Sequence, residues 1–301
     1  MCNINSAAEA DKWREWFTHN APAGESGSGS GNAADSTYTV KVMMNGELLK
    51  ASPLDVVSRM VAYHVNDSYP DEAVKAVAVA CATELKRQYE SGNALPEVSG
   101  RTPSASVVAA VEEVINEQLT YEGALCWAPI FYCSSGDTND ASWMHLEGSY
   151  PYLKSVSSPY DYLIWSTGYH RVTSFDTDTL RARLESYYGI TLSSDPANWI
   201  RITERTPVGY VTAVSVDGQV DVDPYAFFTD VLALPSAHAT VSTWGGTLSV
   251  TTYGTGYGVG MSITGAEQYV DTLGWGYESI LTHYYSGVSV TEAGWEPYLA
   301  Q

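Results

Sequence analysis

The sequence predicts an α+β fold, in which mixed helices and short, mostly antiparallel strands surround one core. Hydrophobic residues make up 45% of the 301 residues, which is enough for a large core. Helical and strand-like segments are interspersed without a regular strand–helix–strand rhythm, which favours α+β over α/β. Asn-Gly, Asp-Gly and Gly-Gly pairs separate several strand-like segments, as they do in antiparallel hairpins.

The elements follow in order from Tyr38. Helix start signals and apolar periodicity predict helices at 55–65, 71–91, 106–119, 178–189, 265–274 and 276–285. Alternation and turn residues predict strands at 37–44, 47–52, 125–133 and 162–175, with several more between 207 and 253. The middle of the second helix, 76–83, carries no charge, so we expect it to be buried nearly all round.

Composition shifts divide the chain into three parts. Residues 24–36, GESGSGSGNAADS, have the composition of a flexible linker. We therefore predict an N-terminal tail and linker at 1–37, one domain at 38–291 and a C-terminal tail at 292–301. No run of about 20 apolar residues is present, so no membrane span is expected, and no signal peptide is visible.

The charge balance excludes polyanionic partners. Lys and Arg number 15 against 35 Asp and Glu, a formal net charge of -20, which repels nucleic acid and anionic lipid. The 22 Tyr and 9 Trp have two readings. Rings with a polar tip suit sugar-binding grooves, and Tyr is also a common strand residue.

The sequence allows two redox states for one pair of cysteines. Cys126 and Cys133 flank Trp127-Ala128-Pro129, and they either form a bridge across a tight hairpin or stay as buried free thiols. No C-x-x-C pair occurs, so a Cys-rich zinc site is not expected.

Five segments carry a family resemblance. In order they are EAVKAVAVACAT (72–83), CSSGDT (133–138) with PYLKSVSSPYDY (151–162), LALPS (232–236), GYGVGMSITGA (256–266) and ILTHYYSGVSV (280–290). In order and spacing they resemble the stage II sporulation protein D family, which includes amidase enhancers. The resemblance covers about 38–290 and implies an α+β domain with a central groove.

The resemblance implies peptidoglycan chemistry, but this chain departs from it at the acid. Active members look like lytic transglycosylases whose catalytic Glu lies eight residues before the position of Glu72, and that position here is His64. An imidazolium repels the oxocarbenium-like cation that a carboxylate stabilises, so His64 is a poor substitute. Asp67 and Glu72 are the remaining weak candidates for a relocated acid, although Asp67 is expected to cap the following helix.

Other departures fall on polar positions of the family pattern. Ala82, Val77, Tyr257 and Ile263 stand where the family has Arg, Gln, His and Gln. The family's Cys/His segment, which supplies zinc ligands in some members, is replaced by SGNALPEVSGRTPS. We therefore expect no metal and no cofactor.

The resemblance also assigns a set of substrate-binding residues: His64, Lys75, Ser134, Ser135, Lys154, Tyr257 and Ser262. Of these, His64, Lys75, Ser134, Lys154 and Tyr257 are expected to converge on one groove. Hydroxyls and tyrosine rings suit a neutral sugar. Two alternatives stay open. Lys75 would equally pair with Glu72 one helical turn away, and the loop serines would equally make local hydrogen bonds.

The sequence therefore leads to three hypotheses. The first is an extracytoplasmic protein of the bacterial cell envelope, an inactive relative that binds peptidoglycan glycan strands. The second is a divergent enzyme with a relocated acid, and the third is a surface interaction module. A cell-wall amidase or another envelope protein is a further expected partner, whereas nucleic acid is not.

Overall fold

The computed structural model describes residues 38–92, 95–144, 148–164 and 169–299. The predicted tail and linker at 1–37 lie outside the described residues. The helices are α1 (Pro53–His64), α2 (Asp71–Ser91), α3 (Ala105–Val114), α4 (Thr177–Tyr188), α5 (Pro224–Ala226), α6 (Ile263–Leu273) and α7 (Tyr277–Tyr284). Short 3₁₀ segments occupy Ala141–Met144, Pro159–Ile164, Pro196–Asn198 and Glu296–Tyr298, and a π-helical turn occupies Phe227–Val231.

The strands are short. They are β1 (Val40–Met44), β2 (Glu47–Ala51), β3 (Glu97–Val98), β4 (Glu117–Tyr121), β5 (Ala124–Leu125), β6 (Ile130–Phe131), β7 (His170–Asp176), β8 (Ile200–Arg205), β9 (Val211–Val216), β10 (Val220–Val222), β11 (Ala239–Trp244), β12 (Thr247–Tyr253), β13 (Met261–Ser262) and β14 (Ser289–Glu292). Most pairings are antiparallel, with β1 and β3 as a parallel pair. The predicted α+β class is confirmed.

The chain divides into two compact units. The first contains 38–130, 150–152 and 266–299, and the second contains 131–149 and 153–265, within the described ranges. Each has its own secondary structure and is described by itself. No helix in the described residues combines the length and apolar character that a membrane crossing requires.

The first unit is built around α2. Its middle residues are buried on all sides, as the uncharged sequence predicts. The Thr83 hydroxyl donates to Val79 O at 2.7 Å and accepts from Leu119 N at 2.9 Å, which fixes α2 to β4. Of the predicted C-terminal tail, Trp295 is fully buried in this unit and donates from Nε1 to Ile115 O at 2.9 Å.

The second unit contains two three-stranded sheets, β10-β9-β8 and β11-β12-β7. Their inner faces enclose a core in which the large buried side chains include Trp199, Phe227 and Phe228. The predicted turns appear at Asp217-Gly218 and Gly245-Gly246, where all four residues have positive φ. At Gly245-Gly246, the two residues between the paired Trp244 and Thr247, that conformation matches the right-handed twist of a two-residue hairpin, so this turn sets the register of β11 and β12.

Cys81, Cys126 and Cys133 are buried free thiols. Of the two alternatives for Cys126 and Cys133, the structure has the free thiols. Burial raises the pKa of Cys126 to about 12, so this thiol stays protonated and unreactive at neutral pH.

Candidate functional site

His64, which the family resemblance places at the acid position, is the last residue of α1. Burial and, to a smaller extent, the nearby Arg101 guanidinium lower its pKa from 6.5 to about 4. At neutral pH the imidazole is therefore uncharged. A neutral imidazole is a poor proton donor, so His64 is not suited to act as an acid.

Glu72 and Lys75 form a fixed ionic group at the start of α2. Lys75 Nζ lies 2.9 Å from Glu72 Oε1 and 2.7 Å from Glu113 Oε2, and Tyr277 N donates to Glu72 Oε2 at 2.9 Å. Burial alone would raise the pKa of Glu72, but the bonds from Lys75 and Tyr277 N together lower it. Glu72 is therefore a carboxylate at neutral pH. Pairing with Glu72, one of the two readings of Lys75, is what the structure shows.

Asp67 does not cap the following helix, contrary to the sequence expectation. The residue at the N-cap of α2 is Pro70, and no side chain caps this end. Asp67 lies exposed in the preceding loop, where its Oδ1 accepts from Ser106 Oγ at 3.1 Å. The loop turn itself is closed by Asn66, whose Oδ1 accepts from Ser68 N at 2.9 Å.

In the second unit, three of the family-like segments lie side by side. Residues 133–141 hydrogen-bond on one side to 153–156, through Thr138 N to Val156 O at 2.9 Å. On the other side they bond to 255–258, through Asn139 N to Gly258 O at 2.7 Å. Gly258 has φ +83°, and a Cβ there would lie 2.5 Å from Cζ of Tyr210. Glycine is therefore needed for the close approach of this backbone.

At the centre of these segments Asp161 is fully buried and surrounded by hydroxyl groups. Its Oδ2 accepts from Ser134 Oγ and, at 2.7 Å, from Ser158 Oγ. Its Oδ1 accepts from Ser262 Oγ at 2.8 Å and from Thr264 Oγ1. We call these five residues the Asp161 cluster. It connects the CSSGDT loop, the PYDY segment and the start of α6.

Burial raises the pKa of Asp161, and the four hydroxyl donors oppose the shift. Two donors on each oxygen are what a buried carboxylate requires in the absence of a cation. Ser134 and Ser262, predicted as substrate-binding residues, are themselves fully buried and direct their hydroxyls to Asp161. Asp161, Ser158 and Thr264 were missed by the sequence reasoning, although the PYDY segment pointed to the region.

The other predicted residues of this unit lie nearer the surface. Lys154 Nζ lies 3.3 Å from Asp140 Oδ2, and its side chain is 52% exposed. The half-buried Tyr257 ring packs edge-on against Tyr225 at 4.9 Å. Ser135 accepts at its backbone oxygen from Tyr169 Oη at 3.2 Å.

The predicted binding residues are thus divided between the two units. His64 and Lys75 belong to the first, and Ser134, Ser135, Lys154, Tyr257 and Ser262 belong to the second. Their convergence on one groove stays a prediction. Among the described residues, no three His, Cys, Asp or Glu side chains are grouped so as to hold a metal ion.

Comparison with known proteins gives two relatives of the same name. The stage II sporulation protein D of Bacillus amyloliquefaciens is 31% identical over 218 residues, which are 70% of this chain and 59% of that protein. The stage II sporulation protein D of Bacillus subtilis (strain 168) is 27% identical over 325 residues, covering 92% of this chain and 90% of that protein. No protein-family model matches the chain.

Proposed function

The chain is a relative of the stage II sporulation protein D family, and we propose that it binds peptidoglycan glycan strands in the bacterial cell envelope without cleaving them. The observation that carries this proposal is the state of His64. Its pKa of about 4 leaves it neutral where glycan cleavage requires first a proton donor and then a carboxylate.

The neighbouring carboxylates do not replace that acid. Lys75 and the Tyr277 N–H hold Glu72 in its ionised form, so it has no proton to donate at neutral pH. Asp67 lies exposed in a loop, whereas a catalytic acid is enclosed by its site. The state of these three side chains supports the absence of turnover.

Lys154 and Tyr257 supply the chemistry for binding. An exposed ammonium group donates to sugar hydroxyls and N-acetyl oxygens, and a phenol ring packs on a pyranose face. The net charge of -20 excludes polyanionic ligands but leaves a neutral glycan unaffected. The proposed location is extracytoplasmic, with a cell-wall amidase or another envelope protein as a further partner.

A divergent enzyme is the second candidate, and Glu117 is the observation that favours it. Burial raises the pKa of Glu117, and the nearby Glu278 and Glu292 carboxylates raise it as well. A 2.9 Å hydrogen bond from Tyr277 Oη acts in the opposite direction but does not cancel the shift. Tyr277 N also donates to the ionised Glu72. Two carboxyl groups whose pKa values are shifted in opposite directions are the usual arrangement of an acid and a base.

One experiment separates the two candidates. Purified peptidoglycan is incubated with the protein, pelleted, and the supernatant is analysed by mass spectrometry for anhydro-muropeptides. Binding predicts that the protein pellets, that no such products appear, and that Lys154→Ala pellets less than its matched control Lys50→Ala, an exposed lysine of the first unit. If the wild-type protein releases anhydro-muropeptides and Glu117→Gln does not, the protein is an enzyme and the binding proposal is wrong.

A further inference from the structure

The sheet β11-β12-β7 has an outer face that the proposed site does not use. Its inner face, with Phe175, Leu248 and Val250, packs on the core of the second unit. Because strand side chains alternate, the residues between them point outward. Strand pairing arranges these in three rows: Trp244–Thr247–Asp176, Ser242–Ser249–Ser174 and Thr240–Thr251–Val172.

The most exposed large hydrophobic side chain of the described residues lies on this face. Trp244 is 89% exposed at the end of β11, beside the Gly245-Gly246 turn. Folding alone gives no reason for an indole at an exposed hairpin end, since burial is what stabilises it. An exposed indole ring beside hydroxyl-bearing side chains offers an apolar face on which a flat ligand can stack.

The middle of the face is a hydroxyl surface. Ser174 and Ser249 share a hydrogen bond of 3.0 Å between their Oγ atoms, which leaves one of the two hydroxyl protons to donate to a ligand and acceptor capacity on both oxygens. Neighbouring strands are about 4.8 Å apart, so the rows present hydroxyls at regular intervals across the sheet. Beyond the third row, the rings of Tyr253 and His170 pack at 5.2 Å.

The charge of the face selects among ligands. Of the nine residues in the three rows, Asp176 is the ionisable one, and its Oδ1 already accepts from Thr179 N at 2.9 Å and Thr179 Oγ1 at 2.8 Å. With no Lys or Arg among them, the rows do not complement a phosphate polymer. Trp244 and Val172 are the large apolar members, too few for the apolar centre of a protein interface.

We infer that this outer sheet face is a second glycan-binding surface, on which a neutral N-acetylated polysaccharide stacks one sugar on Trp244 and hydrogen-bonds to the Ser and Thr rows. Stacking and hydroxyl pairing are the two contacts that a neutral sugar chain offers, and the face supplies both without charge. The inference deepens the proposed function and rests on it for the identity of the polymer.

The test uses the full chain with two probes, a chitin hexasaccharide measured by calorimetry and purified peptidoglycan measured by pelleting. Trp244→Ala should weaken binding of the hexasaccharide about tenfold, as truncation of an aromatic hot spot does. The matched control is Tyr187→Ala, which removes a 65% exposed ring from α4 of the same unit and should leave binding unchanged. Ser249→Arg, which covers the middle row, should also weaken binding.

The outcomes separate the two proposals. If the wild-type protein binds but Trp244→Ala and Ser249→Arg bind equally well, the sheet face is wrong and the proposed function stands. If the wild-type protein binds neither probe, both are wrong. Equal losses in Trp244→Ala and Tyr187→Ala would mean a general effect of removing rings, which overturns the assignment to this face.

Discussion

Replacing Asp161 by Ala should destabilise the second unit strongly, whereas replacing it by Asn should not. Asp161 accepts four buried hydroxyl donors. In the Ala variant Ser134 can turn to Ser158 O, 3.4 Å away. Ser158, Ser262 and Thr264 lose the carboxylate as acceptor, at about 1–3 kcal/mol for each hydroxyl that stays buried and unsatisfied.

Ser262 and Thr264 show that the loss is repaired only in part. The Ser262 Oγ already accepts from Ser134 N at 3.3 Å and from Gly265 N at 3.1 Å, so in the Ala variant its proton can turn to Thr264 Oγ1, 3.3 Å away. The Thr264 proton then has lost its acceptor. The carboxylate also carries a desolvation cost that the Ala variant no longer has. When the desolvation cost is subtracted from the cost of the lost hydrogen bonds, the free energy of unfolding falls by about 3 kcal/mol. That is a large part of the roughly 5–15 kcal/mol of a typical domain.

Asp161→Asn is the matched control. Its amide oxygen keeps an acceptor for Ser262 and Thr264, and its NH₂ group faces Ser134 and Ser158, whose hydroxyls rotate to accept. The free energy of unfolding should therefore stay within about 1 kcal/mol of wild type.

The assay is urea unfolding with hydrogen exchange followed by mass spectrometry on peptides from 131–138 and 259–265. These peptides report the second unit directly, which matters because a protein of two units need not unfold in one transition. Asp161→Ala should lower the urea midpoint and the protection of both peptides. Equal midpoints for the Ala and Asn variants would refute the account of the cluster.

Three further predictions concern the first unit and its chemistry. His64→Glu should release little or no anhydro-muropeptide, because Ala82, Val77 and Ile263 still lack polar groups and catalytic groups that act as a unit fail together; clear wild-type release that Asp67→Asn or His64→Ala abolishes would contradict this. Because the pKa of His64 is about 4 when folded and about 6.5 when unfolded, the unfolded state binds the proton first as pH falls. Stability should therefore drop by about 3 kcal/mol between pH 6.5 and 4, a decline that His64→Gln removes in urea titrations at each pH. Elemental analysis of protein purified without chelator should find no stoichiometric zinc, and finding it would overturn the expectation drawn from the replaced Cys/His segment.

Short sequence motifs predicted the structure correctly where neighbouring residues alone determine the backbone conformation. Asn45-Gly46 was predicted as a hairpin turn and has φ of 52° and 83°, a conformation that few other residue pairs adopt. The helix 71–91 matched its prediction at both ends, since Pro70 begins it and Gly92, with φ 72°, ends it.

The predicted boundaries were wrong where contacts with residues distant in sequence determine the structure. The third helix was predicted to reach Leu119 but ends at Val114, because 117–121 pair with β14 near the C-terminus. Likewise, 162–175 was predicted as one strand, yet Pro159–Ile164 is a 3₁₀ turn that places Asp161 among its hydroxyl donors. Helical or strand periodicity cannot report such pairings, since it describes only neighbours in sequence.

The Asp161 cluster gives a structural role to the serines in the segments that resemble the family. Ser134 is 27 residues from Asp161 and Ser262 is 101 residues from it, yet both direct a buried hydroxyl to the same carboxylate. A serine in that position is required for the fold whether or not a glycan is bound. The motifs that identify the family are therefore compatible with an active enzyme, an inactive binder or a protein that has lost both functions. Evidence for binding has to come from exposed side chains such as Lys154 and Trp244, whose removal leaves the cluster intact.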